Sequence, residues 1–144
     1  MKRARVSMVL LVLAPVAAIL FFAGGIGAQV KKGKSRLMLT KHLMGGLMKV
    51  HCGGLKKSLD AGPADDKAWA ELATSAALIN EASYILMDDG RCPDGTWADA
   101  ATKTLRQGSA DVLKAVDAKD LEAVKKAFGE MTKACESCHK AHKK

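Results

Sequence analysis

Aromatic side chains are scarce in this chain of 144 residues: three Phe, two Trp and one Tyr, 4% of the sequence. A core with so few rings lacks its usual large apolar fillers. Proline is as rare, with three residues, so long helices run with few interruptions. No window alternates apolar and polar residues as a half-buried strand does, and no internal repeat or low-complexity segment is present. A zinc site wants four ligands, usually as two paired half-sites, and no second C-x-x-C or H-x-x-x-H pair exists. No nucleophile–base pair and no set of paired carboxylates is apparent, which argues against an enzyme. With few aromatics and no recognised motif, nucleic acid is not an expected partner.

The N-terminus carries the first positive feature. Lys2, Arg3 and Arg5 precede an almost unbroken apolar run from Val6 to Ile26, with small residues at Gly27 and Ala28. This reads as residues 1–28 being a secretory signal peptide or, since the run approaches the ~20 residues that span a bilayer, a retained N-terminal membrane anchor. Either outcome places the remainder in the periplasm or otherwise outside the cytoplasm, where disulfides persist. Without residues 1–28 the chain has 116 residues, one small domain, and its net charge falls from +8 to +5. Lys133, Lys140, Lys143 and Lys144 crowd the C-terminus. They form either a docking face for an acidic redox partner or anionic membrane, or a solvated helix end whose cations complement the helix dipole.

Cys135, Cys138 and His139 spell C-x-x-C-H near the end of the chain. That string is the attachment signature of a covalently bound c-type haem. On a helix, residues three apart share a face, so each sulfur can add to a haem vinyl group, while His139 is held against the iron as proximal ligand. A thioredoxin-like pair would need a strand before it, whereas this motif ends a helical pattern.

Past the leader the pattern is helical throughout. A first helix is expected from about Lys34 to Leu59, with an apolar stripe including Leu37, Leu43, Met44, Leu47, Met48, Leu55 and Leu59. Gly62-Pro63 ends it, and Asp65 or Asp66 caps a second helix to about Met87. After Asp88-Asp89-Gly90 and a turn-rich Arg91–Gly95 loop, a third helix runs from about Trp97 to Val116, and Asp117 or Asp120 caps the fourth. Four helices with short links imply an all-α, up-down-up-down four-helix bundle with covalent haem near its C-terminus.

In that topology the start of helix one faces the end of helix four and supplies any sixth iron ligand. At ~100° per residue, Thr40, Met44, Leu47 and His51 centre the apolar stripe, while Met38 and His42 point away. His51 lies ~10 Å beyond Met44, past the porphyrin. Met44 is therefore the candidate distal ligand, against an open or merely packed distal side. His142 reads as a solvated tail residue.

Cys52 and Cys92 remain. In an oxidising compartment they form a candidate disulfide, worth roughly 4 kcal/mol in the chain-entropy model. A straight helix one would hold them ~20 Å apart, so the alternative is two separate thiols.

The leader, the four helices and Cys135-Glu136-Ser137-Cys138-His139 together resemble the cytochrome c prime family, the class II c-type cytochromes, over about residues 35–144. Met44-Gly45-Gly46-Leu47-Met48-Lys49 looks like that family's helix one, and Asp120-Leu121 through Ala127-Phe128 like its fourth helix. The Asn80–Gly95 region looks like an uncharacterised single-haem branch. The resemblance implies one covalent haem c, thioether links at Cys135 and Cys138, and His139 as proximal ligand. It also implies a homodimer through the first two helices. The family places an Arg four residues before the distal Leu or Met of helix one; counting from Arg36 puts Thr40 there, whereas aligning the Met-Gly-Gly segment puts Lys41 there, so Met44 rests on the helical wheel alone.

The expected function is an exported mono-haem c-type cytochrome carrying single electrons. The alternatives are a five-coordinate haem protein binding nitric oxide or carbon monoxide, and a zinc- or disulfide-stapled structural bundle.

Overall fold

The fold is organised by where acidic caps and left-handed turns cut one helical sequence into four. The computed structural model describes residues 33–143, so the expected leader or anchor over residues 1–28 lies outside the described residues. Helix α1 begins as Thr40–Leu43, passes through a π turn at Met44–Met48 and continues as Lys49–Ala61. Helix α2 spans Asp66–Met87. Helix α3 runs as Gly95–Asp99, a π segment at Ala100–Arg106, and Gln107–Asp117. Helix α4 spans Leu121–His142. Every helix and turn among the described residues fits an all-helical fold, and none of these helices is long and apolar enough to cross a membrane.

The caps explain the boundaries. The carboxylates of Asp65, Asp94 and Asp120 accept from the backbone N–H of Ala68 (2.8 Å), Trp97 (2.9 Å) and Ala123 (3.0 Å). Each satisfies one orphan donor in a first helical turn. Breaks fall where the backbone turns left-handed: Gly62 (φ 76°), Asp89 (φ 58°) with Gly90 (φ 72°), and Lys119 (φ 52°).

Helix α1 starts later than its periodicity implies, because the preceding segment has another partner. The Asp89 carboxylate accepts from the Ser35 N–H (2.8 Å), the Ser35 hydroxyl (2.9 Å) and the Arg36 N–H (2.9 Å), and the Lys34 N–H donates to the Asp89 carbonyl. Those bonds hold the Arg36 and Ser35 amides out of a helix and lower the Asp89 pKa to about 2, the Arg36 and Ser35 N–H groups being the main cause. Leu37, expected on the buried stripe, is instead 79% exposed.

Consecutive helices pack on one another, α1 on α2, α2 on α3, and α3 on α4. Leu55, Leu72, Ile79, Val112, Val124 and Met131 are fully buried between them. A polar clamp joins α2 to α3: the Asn80 amide donates to the Arg106 carbonyl (2.9 Å) and the Ser109 hydroxyl (2.8 Å), while Arg106 Nε donates to the Ser83 hydroxyl (3.0 Å). The Arg106 guanidinium also lies 3.7 Å from the Tyr84 ring centre. Gly108 lets α3 approach α4 closely; a Cβ there would stand 2.9 Å from the Met131 Cα.

Candidate functional site

A cavity of about 450 Å³ opens among the four helices, within the ~300–1,000 Å³ typical of cofactor and ligand sites. Helix α1 contributes Met44, Met48 and Cys52, and α4 contributes Ala134, Cys135, Cys138 and His139. Leu86 at the end of α2 and Trp97, Ala100, Ala101 and Leu105 of α3 complete an apolar wall.

The two π segments shape that wall. Four residues on an ordinary α-helix overshoot a full turn by ~40°. The wider i→i+5 turn at Met44–Met48 offsets that drift. Met44, Met48 and Cys52, each four residues apart, therefore all reach the cavity. On α3 the π segment presents Ala100 and Leu105, five apart, to the same space.

The electrostatics of α4 follow from its burial. The Cys52 thiol donates toward Cys135, which lowers the Cys135 pKa to about 7. The same contact, then burial, raises that of Cys52. Burial, followed by the charges of Cys135 and Asp94, pushes Cys138 up to about 11. Burial and then the nearby Lys143 cation lower the His139 pKa, favouring the neutral imidazole that binds metal.

Trp97 in the cavity wall is 3% exposed, and its indole N–H donates to the Leu86 carbonyl at 2.8 Å. His142 packs edge-on against the same indole. Its Nε2 approaches Asp94 Oδ1 to 3.4 Å but makes no hydrogen bond, and its side chain is 12% exposed. His142 is thus a packed residue of the α4 terminus in ring contact with Trp97, not the solvated tail residue expected.

The remaining candidates separate. His42 is exposed and Met38 is 49% exposed. His51 lies outside the cavity lining, 3.3 Å from the Ser75 hydroxyl. Cys52 and Cys92 are both free thiols. Cys92 donates to the Asp94 carbonyl within its own loop (3.4 Å), and the thiol facing Cys52 is that of Cys135. Sequence reasoning therefore missed Cys52 and Met48 as cavity residues. Their i+4 spacing from Met44 was the available signal, and it becomes a shared face only through the π turn.

Two thiols three residues apart, an adjacent imidazole and a large apolar space on one wall fit a haem. No cluster of three or more His, Cys, Asp or Glu side chains that could hold a bare metal ion occurs among the described residues. Residues 94–143 match the family model Cytochrome C'. The match is consistent with a class II cytochrome c′ family member, and the family implies haem. It covers α3 and α4, the two helices that carry Trp97, Cys135, Cys138 and His139. No curated protein and no solved structure matches the chain.

Proposed function

We propose that this chain is an exported, single-haem c-type cytochrome with up-down-up-down topology that passes one electron at a time and is not itself an enzyme. One observation carries the reading: Cys135, Cys138 and His139 all line the same apolar cavity. When bound, haem supplies an iron that cycles between ferric and ferrous states. The chain's own residues do the rest. Cys135 and Cys138 would hold the porphyrin by thioether links, and His139, its pKa lowered by burial, would offer a neutral imidazole from the same helix. Trp97, Ala100 and Leu105 line the cavity with apolar surface, and low-polarity surroundings of that kind raise or lower a haem's potential. Met44 reaches the cavity from α1 as the distal candidate, with Met48 one turn on.

Docking to an acidic redox partner is supported by Lys143 at the cavity and by the exposed Lys140. Lys133 contributes less, because Glu130 already pairs with it at 2.5 Å. Export is supported by the basic start and apolar run of residues 1–28.

Gas binding is the second reading, and Gly45 favours it. This residue lines the cavity, and a Cβ built on it would meet nothing within 4 Å. With no side chain at Gly45, the α1 wall beside Met44 is uncrowded. The ferrous absorption spectrum with and without carbon monoxide tests the two. A low-spin spectrum indifferent to the gas supports the carrier, and a high-spin spectrum that shifts under it supports the gas binder.

A further inference from the structure

Cys52 is a third thiol in the cavity, and neither thioether attachment nor iron ligation uses it. It stands on α1, whereas Cys135 stands on α4, 83 positions later in the chain. Both line the same cavity, and each thiol perturbs the other's ionisation through a side-chain hydrogen bond between them. Cys92, the other spare cysteine, is engaged in its own loop. We propose that Cys52 and Cys135 form a reversible disulfide in the chain before haem attachment, locking one attachment sulfur until a thiol reductant frees it. The inference rests on the reading of Cys135 as a haem-attachment residue in an exported protein.

The chemistry balances through thiol–disulfide exchange with an exported protein disulfide as oxidant. Cys135, the more acidic thiol of the pair, attacks one sulfur of that disulfide, forming a mixed disulfide and releasing the other sulfur as a thiolate. Cys52 then loses its proton and attacks Cys135 Sγ. The Cys52–Cys135 bond forms, and the oxidant's second sulfur leaves as a thiolate. Two electrons pass to the oxidant, which ends as a dithiol after taking up the two protons. The locked chain has no S–H at Cys135 to add across a vinyl group. A dithiol reductant reverses both exchanges and restores it. The bond would also tie α1 to α4 across the space that a porphyrin enters.

The test uses the full chain made in a host able to mature c-type cytochromes, as wild type and as Cys52→Ser, each with and without added dithiol reductant. Acid-quenched, alkylated protein is peptide-mapped for crosslinks, and covalent haem per chain is read from intact mass. The expected result is a Cys52–Cys135 crosslink in the haem-free wild-type fraction. Cys52→Ser should carry about twofold more haem or better without reductant, with the difference closing when reductant is added. Equal, reductant-insensitive haem loading in both chains, or a crosslink joining Cys135 to Cys138 instead, would overturn the lock while leaving the haem reading intact. Absence of the haem mass from both chains in every arm would remove the haem reading and the lock together.

Discussion

The His142 imidazole packs edge-on against the Trp97 indole, with ring centroids 5.4 Å apart and planes at 75°. The indole N–H points the other way, to the Leu86 carbonyl. One side chain thereby joins the end of α2, the start of α3 and the last turn of α4 at the cavity wall. Trp97→Phe keeps a ring but strands a buried carbonyl, so it should lower stability by about 1–3 kcal/mol. Urea unfolding monitored by circular dichroism checks this; an unchanged midpoint would show that the bond contributes nothing.

The closeness of α3 and α4 depends on Gly108. Its replacement by Ala adds a methyl group against the Met131 backbone and Cβ, at 2.9 and 2.8 Å. Helix propensity favours Ala by ~1 kcal/mol, yet overpacking costs about 1–3 kcal/mol where backbone has to move. Gly108→Ala should therefore be net destabilising in the same unfolding measurement. Gly53→Ala, where a Cβ would meet nothing within 4 Å, should be neutral or stabilising.

Acid should release the segment before α1. The Asp89 pKa is lowered from 3.8 to about 2 by the Arg36 and Ser35 amides. A folded-state pKa below the unfolded value means that the contribution is present above about pH 4 and is lost as pH falls through about 2. Amide exchange at Ser35 and Arg36 should accelerate over that window. In Asp89→Asn, which tolerates the left-handed backbone, exchange at both amides should be faster at neutral pH and lack this acid step.

Much of the fold was legible because its punctuation is local. Asp65 and Asp120 cap helices where a carboxylate precedes an apolar-periodic run, and Gly62 and Gly90 occur where the chain turns left-handed. The C-x-x-C-H string brought its three residues to attention before any geometry. What the sequence hid are contacts between distant segments. The pull of Asp89 on Ser35 and Arg36 shortens α1 and exposes Leu37. The π turn at Met44–Met48 breaks the 100° wheel on which the distal face was read. A straight helix holds Cys52 away from Cys92 but gives no sign that it shares the cavity with Cys135.

Met44 and Met48 line the same wall, and the carrier reading assigns the iron to Met44. Met44→Leu should abolish the Met–iron charge-transfer band of the ferric protein, lower the reduction potential and admit carbon monoxide to the ferrous iron. Met48→Leu, a near volume-conserving swap, should leave all three unchanged. The reverse outcome would assign ligation to Met48, and no change in either variant would favour the gas-binding reading.

The central claim is that Cys135 and Cys138 hold a porphyrin whose iron His139 ligates. Its most direct test is the intact mass of the purified protein, from a host that matures c-type cytochromes, measured alongside its absorption spectrum. The expected result is a coloured protein heavier than its polypeptide by one haem, with the added mass surviving denaturation and absent from the Cys135→Ala/Cys138→Ala double variant. A colourless protein at the polypeptide mass would contradict the account.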